Sequence, residues 1–242
     1  MAKRAFIDAD MPLYSVAFSV EEAVDWGDDL WTLHADLGQA RDLFDLWVDT
    51  VKTDLKVKEV VLCLSDKQNW RKDLYPEYKA NRSRNRKPVV FRPLRDWIIT
   101  RYKAKVVPDL EADDLLGINA NKSTNILVSG DKDLRTVPGL HYNPDRADKG
   151  VVRIIEDEGR YNHMMQTLTG DAVDNFKGCP GVGPKAAQKV LADLSPDEYW
   201  PAVVARYEKA GLTEEDALLQ ARLAFILTKP YYKRKEVILW TP

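Results

Sequence analysis

Carboxylates recur in this 242-residue chain where a folded sheet would collect them. Asp8, Asp66 and Asp131 each lie at or just beyond the end of a short, continuous apolar run: Ala5-Phe6-Ile7, Val60-Val61-Leu62-Cys63-Leu64 and Ile126-Leu127-Val128. Further acids fall in three clusters: Glu111-Ala112-Asp113-Asp114, Asp131-Lys132-Asp133, and Gly170-Asp171-Ala172-Val173-Asp174-Asn175. Asp171 and Asp174 share one helical face at spacing i, i+3. Acids packed in one crevice repel by several kcal/mol per pair at ~4 Å. Divalent cations relieve that repulsion, and oxygen ligands without His or Cys point to Mg²⁺ or Mn²⁺ rather than zinc. Two such ions suit in-line attack on a phosphodiester. Singly, each acid has a plainer role as a turn, a helix cap or a solvated charge. An EF-hand starting at Asp131 fails because Thr136 fills the position that needs Gly. What favours metal chemistry is the coincidence of acids at successive strand ends.

The elements that would position these acids can be read from the same runs. Continuous apolar strands suit a parallel sheet covered on both faces. In open α/β sheets the ligand crevice lies beyond the carboxyl ends of the strands. Leu37, Leu43, Phe44, Trp47, Val48, Val51 and Leu55 recur near a period of 3.6, which predicts a helix between the first two strands. Glu111 to Asn121 reads as another helix with acids in its first turn. The expected fold class is α/β, with a mostly parallel central sheet flanked by helices. From about Gly159 onward the pattern is helical. Domain 1–158 would be the α/β unit and domain 159–242 a helical region.

Hydrophobic residues at 45% and charged residues at 31% describe a globular chain, which excludes wholesale disorder and fibrous repeats. No apolar run approaches the ~20 residues of a membrane span, and Asp8 arrives too early for a signal-peptide core. The chain is read as cytoplasmic, with no membrane partner. Two cysteines and three histidines make a disulfide framework or structural zinc site a poor fit.

The net charge of −2 is unevenly spread. Residues 1–65 hold 6 Lys/Arg against 13 Asp/Glu, whereas residues 66–105 hold 13 against 4. Such a basic block suggests a polyanionic partner. Its centre, Asn81-Arg82-Ser83-Arg84-Asn85-Arg86-Lys87, has no apolar residue and should project into solvent. A second signal is Gly178-Cys179-Pro180-Gly181-Val182-Gly183-Pro184-Lys185-Ala186-Ala187. Gly181 and Gly183 permit a tight turn between helices, and Pro184 starts the second helix. A helix N-terminus with free amides binds phosphate, Lys185 adds charge, and no base edge is read. The string matches a helix-hairpin-helix over 160–194.

In these pieces the chain resembles the structure-specific 5′-to-3′ exonuclease and flap endonuclease family, most closely its phage branch. The matching strings are FIDAD (6–10), LSDKQNWRKDLYPEYKANR (64–82), EADDLLG (111–117), SGDKDL (129–134), TGDAVDN (169–175) and GCPGVGPKAA (178–187), and the ending KEVILWTP (235–242) is also similar. The resemblance implies a PIN-like flap-endonuclease fold and a metal-dependent 5′-3′ exodeoxyribonuclease or flap endonuclease. It places Asp8, Asp66, Glu111, Asp113 and Asp114 around a first metal, Asp131 and Asp133 between two ions, and Asp171 and Asp174 at the second, with Asp10 holding a lesser claim. Lys79 and Arg82 are implied at the base of an arch over the site, acting with Asp8 and Asp133 in catalysis. Tyr78 would offer a ring for base stacking, and Arg84 and Arg86 further DNA contacts. The hairpin would hold duplex DNA, with K⁺ at its turn. Double-stranded DNA with a 5′ end, nick or flap is the implied partner, extending to RNA/DNA hybrids, for a monomer acting in phage replication and host-DNA breakdown. Pro88 and Pro93 speak against one long arch helix in the arch-like segment 66–105.

Three other readings compete. A haloacid-dehalogenase-type phosphatase would use Asp8 as a nucleophile but leaves Asp133, the basic block and the hairpin without a role. A PIN-type ribonuclease needs fewer acids and no hairpin. A non-catalytic DNA-binding module leaves the acids structural, although acids beside DNA weaken binding.

Overall fold

The computed structural model describes residues 3–121 and 123–242, and gives no side-chain account of Ser83 and Arg84. The expectation for Arg84 as a DNA contact therefore lies outside the described side chains.

The chain runs β1 (Arg4–Asp8), α1 (Asp10–Ser19), β2 (Glu21–Asp25), β3 (Trp31–Ala35), α2 (Leu37–Leu55), β4 (Glu59–Cys63), α3 (Arg71–Leu74), α4 (Phe91–Tyr102), α5 (Ala112–Ile118), β5 (Asn125–Val128), β6 (Gly139–Tyr142), β7 (Val152–Ile154), α6 (Glu156–Thr169), α7 (Pro184–Leu191), α8 (Tyr199–Glu208), α9 (Glu214–Ala224), β8 (Tyr232–Lys233) and β9 (Glu236–Val237). The main sheet has order β4-β1-β5-β6-β7, with β7 antiparallel to β6 and the other pairings parallel. β1 is central, so both faces of Arg4–Asp8 must be apolar, and the buried residues Ala5, Phe6 and Ile7 meet that demand.

Alternation along β1 divides the core. Ala5 and Ile7 face a cluster built on Leu13, Phe44, Val48, Leu94 and Ile98 of α1, α2 and α4. Phe6 points the other way, toward Cys63, Leu115, Leu116 and Leu127. Helix α2 begins at Asp36, whose carboxylate accepts the Gln39 amide, and its apolar positions Phe44, Val48, Val51 and Leu55 are the buried ones. The register aligns Asp8 with Cys63 and Ile7 with Val128. Asp8 thus lies level with the loops that leave β4 and β5.

A third cluster joins α6 to α9 through Met164, Leu168, Val182, Leu191, Val203, Tyr207 and Ala217. Residues 159–242, expected as a helical region, hold α6 to α9 and also two short strands. β8 and β9 form a hairpin, and Ile226 and Leu227 return to the sheet to pack with Phe6, Leu115 and Leu116. Apolar burial on the sheet's second face draws the tail back across residue 158. The segment after Asp66 contains no single long helix. Short α3 is followed by a 3-10 turn at Ala80–Arg84, then extended chain, then α4 with Pro93 in its first turn, where a missing N–H costs no helical bond.

Candidate active site

The acids gather beyond the carboxyl ends of β1 and β5. Asp8 is 6% exposed. Its Oδ1 accepts the Asp10 amide and its Oδ2 the Ser129 hydroxyl, both at 3.0 Å. Burial, then the neighbouring Asp10 charge, pushes its carboxyl up to about 7. Asp10 is raised as well, again chiefly by burial, and its Oδ2 accepts the Ser65 amide. Ser129 Oγ also accepts the Asp131 amide at 3.0 Å, while Ser65 Oγ accepts the Ala112 amide at 3.0 Å. Two serines flanking β1 thus link one β1-end acid each to the loop of another. Asp113 lies one residue beyond Ala112. Burial and the charges of Asp8 and Asp131 hold its carboxyl well above the usual range, and its buried Oδ1 has no hydrogen-bond partner. Burial also raises Asp133 to about 7, helped by Asp131 and Asp171. The set Asp8, Asp113, Asp131, Asp133 and Asp171 is one chain of mutually felt charges.

Opposite it stands a cationic network. Lys79 Nζ pairs with Glu111 and, at 3.4 Å, with Asp174. Arg82 pairs with Asp174 as well. Burial alone would raise Glu111, but Lys79 and Arg71 hold it down to about 2. The Lys79 backbone sits in the left-handed region at φ 56°, and its N–H donates to Asp174 O at 2.9 Å. That conformation costs about 1–2 kcal/mol for a residue with a Cβ. The strain is held in place by the loop carrying Asp171 and Asp174.

The α6–α7 turn is open. Gly181 has φ 71°, Gly183 caps α7, and a Cβ at either would meet nothing within 4 Å. Neither glycine amide donates to a protein acceptor among the described residues, and Lys185 is exposed beside them.

A family model described as the 5′-3′ exonuclease N-terminal resolvase-like domain matches residues 37–143. The chain is 27% identical to the exonuclease of Escherichia phage T7 over 98% of its own length and 92% of that relative's. It is 26% identical, at the same coverage, to the exodeoxyribonuclease of Enterobacteria phage T3. The chain is similar over nearly its whole length to phage exonucleases. Among solved structures, a phage T5 protein co-crystallised with metal ions is similar at a TM-score of 0.68, covering 95% of this chain and 90% of that one, with 12% identity. The phage T5 flap endonuclease complex with DNA and metal ions gives 0.63 at the same identity. At that identity the likeness speaks to the PIN-like fold. The likeness to nucleases along nearly the whole chain sets aside the phosphatase and the non-catalytic module.

Within this nuclease, four expected residues stand differently from the sequence reading. Asp66 spends its carboxylate on amides, accepting from Asp109 at 3.1 Å and from Lys67 and Gln68; burial alone would raise it, but these bonds together lower it. It closes a turn rather than joining the other acids. Asp114 is fully buried and saturated: Arg71 grips both oxygens at 2.9 Å, and Trp70 Nε1 and the Leu227 amide donate as well. An acceptor so occupied is a structural anchor, not an open ligand. Tyr78 is 2% exposed, with its hydroxyl donating to Glu111 and Asp174, so its ring has no face for a base. Arg86 is exposed but bonded to Glu21.

Sequence reasoning missed Arg71, which besides Asp114 and Glu111 binds the carbonyls of Leu223 and Phe225. It also missed Ser65 and Ser129. Their adjacency to strand-end acids, in Ser65-Asp66 and Ser129-Gly130-Asp131, was the available signal.

Among the described residues, no group of three or more His, Cys, Asp or Glu could hold a metal ion as the side chains stand. The donor set nevertheless fits a hard divalent cation: it is all carboxylate, Asp8, Asp113 and Asp133 are raised by burial and by neighbouring acids, and Asp113 presents an orphaned buried oxygen.

Proposed function

We propose that the chain is a divalent-metal-dependent 5′-3′ exodeoxyribonuclease and flap endonuclease acting on duplex DNA at 5′ ends, nicks and flaps. The observation that carries this reading is the unpartnered buried oxygen of Asp113, a carboxyl raised by burial and by the charges of Asp8 and Asp131, beside the Lys79–Glu111 pair. In this reading Asp8, Asp113, Asp131, Asp133 and Asp171 would hold two Mg²⁺ or Mn²⁺ ions, and Glu111 and Asp174 would be further ligands when freed from Lys79 and Arg82. Bound divalent ions supply Lewis acidity, easing deprotonation of the attacking water and stabilising charge on the phosphate.

The chain's own groups do the rest. Lys79 and Arg82 exchange carboxylates for the scissile phosphate, where their charge opposes the charge that develops in the transition state. Tyr78 and Arg71 keep Glu111 oriented during that exchange. The amides of Gly181 and Gly183, with Lys185, bind backbone phosphates of the duplex, and K⁺ is proposed at the same turn. RNA/DNA hybrids, monomeric action in the cytoplasm, a 5′-phosphate product and a part in phage DNA replication belong to the same reading.

The direct test places a 5′-flap, a nicked duplex and a blunt duplex side by side with Mg²⁺ or EDTA and reads product lengths. Cleavage from 5′ ends in Mg²⁺ alone is expected. Inert substrates in Mg²⁺, or equal cleavage in EDTA, would overturn the reading.

A further inference from the structure

We infer that the β2–β3 hairpin docks a basic, amphipathic segment of a partner protein, a role separate from the nuclease site. Residues 21–36 carry six acids and no Lys or Arg. They also carry Trp26, Leu30 and Trp31, exposed at 63%, 60% and 57%. The hairpin pairs only with itself among the described residues, so both strands are edges. Isolated two-stranded hairpins are marginal in water, and exposed edges are normally covered or blunted. This one is held at its root, where Glu21 accepts from Arg86 and from the Val89 amide at 2.8 Å.

The register separates two faces. Glu22 pairs with His34 and Val24 with Thr32 on one, and Ala23 with Leu33 and Asp25 with Trp31 on the other. Trp26 belongs to the first, its indole N–H donating to Thr32 Oγ1 at 2.8 Å. At the root of that face lies a cavity of about 330 Å³ lined by Glu22, His34, Asp36 and Gln39. Two carboxylates at a cavity of that size fit the cationic head of a Lys or Arg, and Val24 and Trp26 continue as an apolar track. DNA is an unsuitable occupant, because six acids, of which Glu21 is the one paired with a cation among the described residues, repel phosphates.

The test uses the full chain and a fluorescently labelled amphipathic peptide of lysines and leucines, read by anisotropy. Saturable binding that weakens with salt is expected. Glu22→Gln and Trp26→Ser should each loosen it about tenfold, whereas Trp31→Ser on the opposite face should not. A peptide with serine in place of leucine should bind about tenfold more weakly. All variants should melt and cleave like the parent. Undiminished peptide binding by both Glu22→Gln and Trp26→Ser would overturn the inference, as would loss in Trp31→Ser alone. Weakened binding of 5′-tailed duplex by Trp26→Ser would make the hairpin a DNA element. A parent dimer that Trp26→Ser converts to monomer in sedimentation would make the occupant a second copy. Either result overturns the inference.

Discussion

Lys79 holds two carboxylates while standing in a strained backbone conformation, an arrangement that gains little unless the side chain is needed at that point. Lys79→Ala should therefore cut the single-turnover cleavage rate by about 10²-fold or more while weakening DNA binding, measured in Ca²⁺, only a few-fold. Equal losses in rate and binding would remove Lys79 from the reaction. At this scale the sequence disclosed residue types but not the direction of side chains. Asp8, Asp113, Asp131 and Asp133 were legible because strand ends and a helix start fix where they emerge. Asp66 and Asp114 belong to the same strings, yet one turns toward loop amides and the other into the core, where Arg71 meets it. That guanidinium comes from a four-residue helix whose placement depends on carbonyls about 150 residues away in the chain. Tyr78 likewise reads as a free aromatic, and only the packing of Phe176 and Leu223 around it shows that it is buried.

Among the elements, the loop bearing Asp171 and Asp174 is closed by two glycines set against each other. Gly170 and Gly178 both have φ 65°, and a Cβ on Gly178 would lie 2.3 Å from Gly170 N and 2.6 Å from Thr169 C. Gly178→Ala should destabilise the fold by about 2 kcal/mol or more, visible as a lowered urea midpoint, because backbone cannot yield as a side-chain tip can. At the neighbouring turn Lys185→Ala should leave the fold alone, weaken duplex binding and reduce the salt slope by about one. An unchanged slope would deny the phosphate contact. The turn into α7 was legible because its glycines and Pro184 encode it directly. Strands β1, β4 and β5 were legible as continuous apolar runs. β6 and β7 were not, since Gly139-Leu140-His141-Tyr142 and Val152-Arg153-Ile154 are short and mixed. β2 and β3 escaped notice because neither face is buried, so no alternation is imposed on them.

For the molecule as a whole, the buried acids make stability depend on both pH and metal. Asp8 and Asp133 sit at about 7 against an ordinary 3.8, so their contribution is present at low pH and is lost as pH rises through about 7. His163, buried and donating its Nε2–H to the Ala221 carbonyl, is lowered by burial to about 4 from 6.5. Its contribution runs the other way and is lost as pH falls below 6.5. On these groups alone, metal-free protein should lose several degrees of melting temperature as pH rises from about 4 to about 7, where two carboxylates outweigh one histidine, and level off above 7. Saturating Mg²⁺ should restore the loss at the upper end. Melting curves in EDTA that stay flat over this interval would contradict the crowding of these carboxylates.

The returning tail has a temporal corollary. Arg71 takes the carbonyls of Leu223 and Phe225, and Asp114 the amide of Leu227. A nascent polypeptide still short of these residues lacks the pieces that fasten Asp114, and with it the helix start carrying Glu111 and Asp113. A ribosome-bound chain that has not yet released Leu227 should therefore lack an assembled cutting centre.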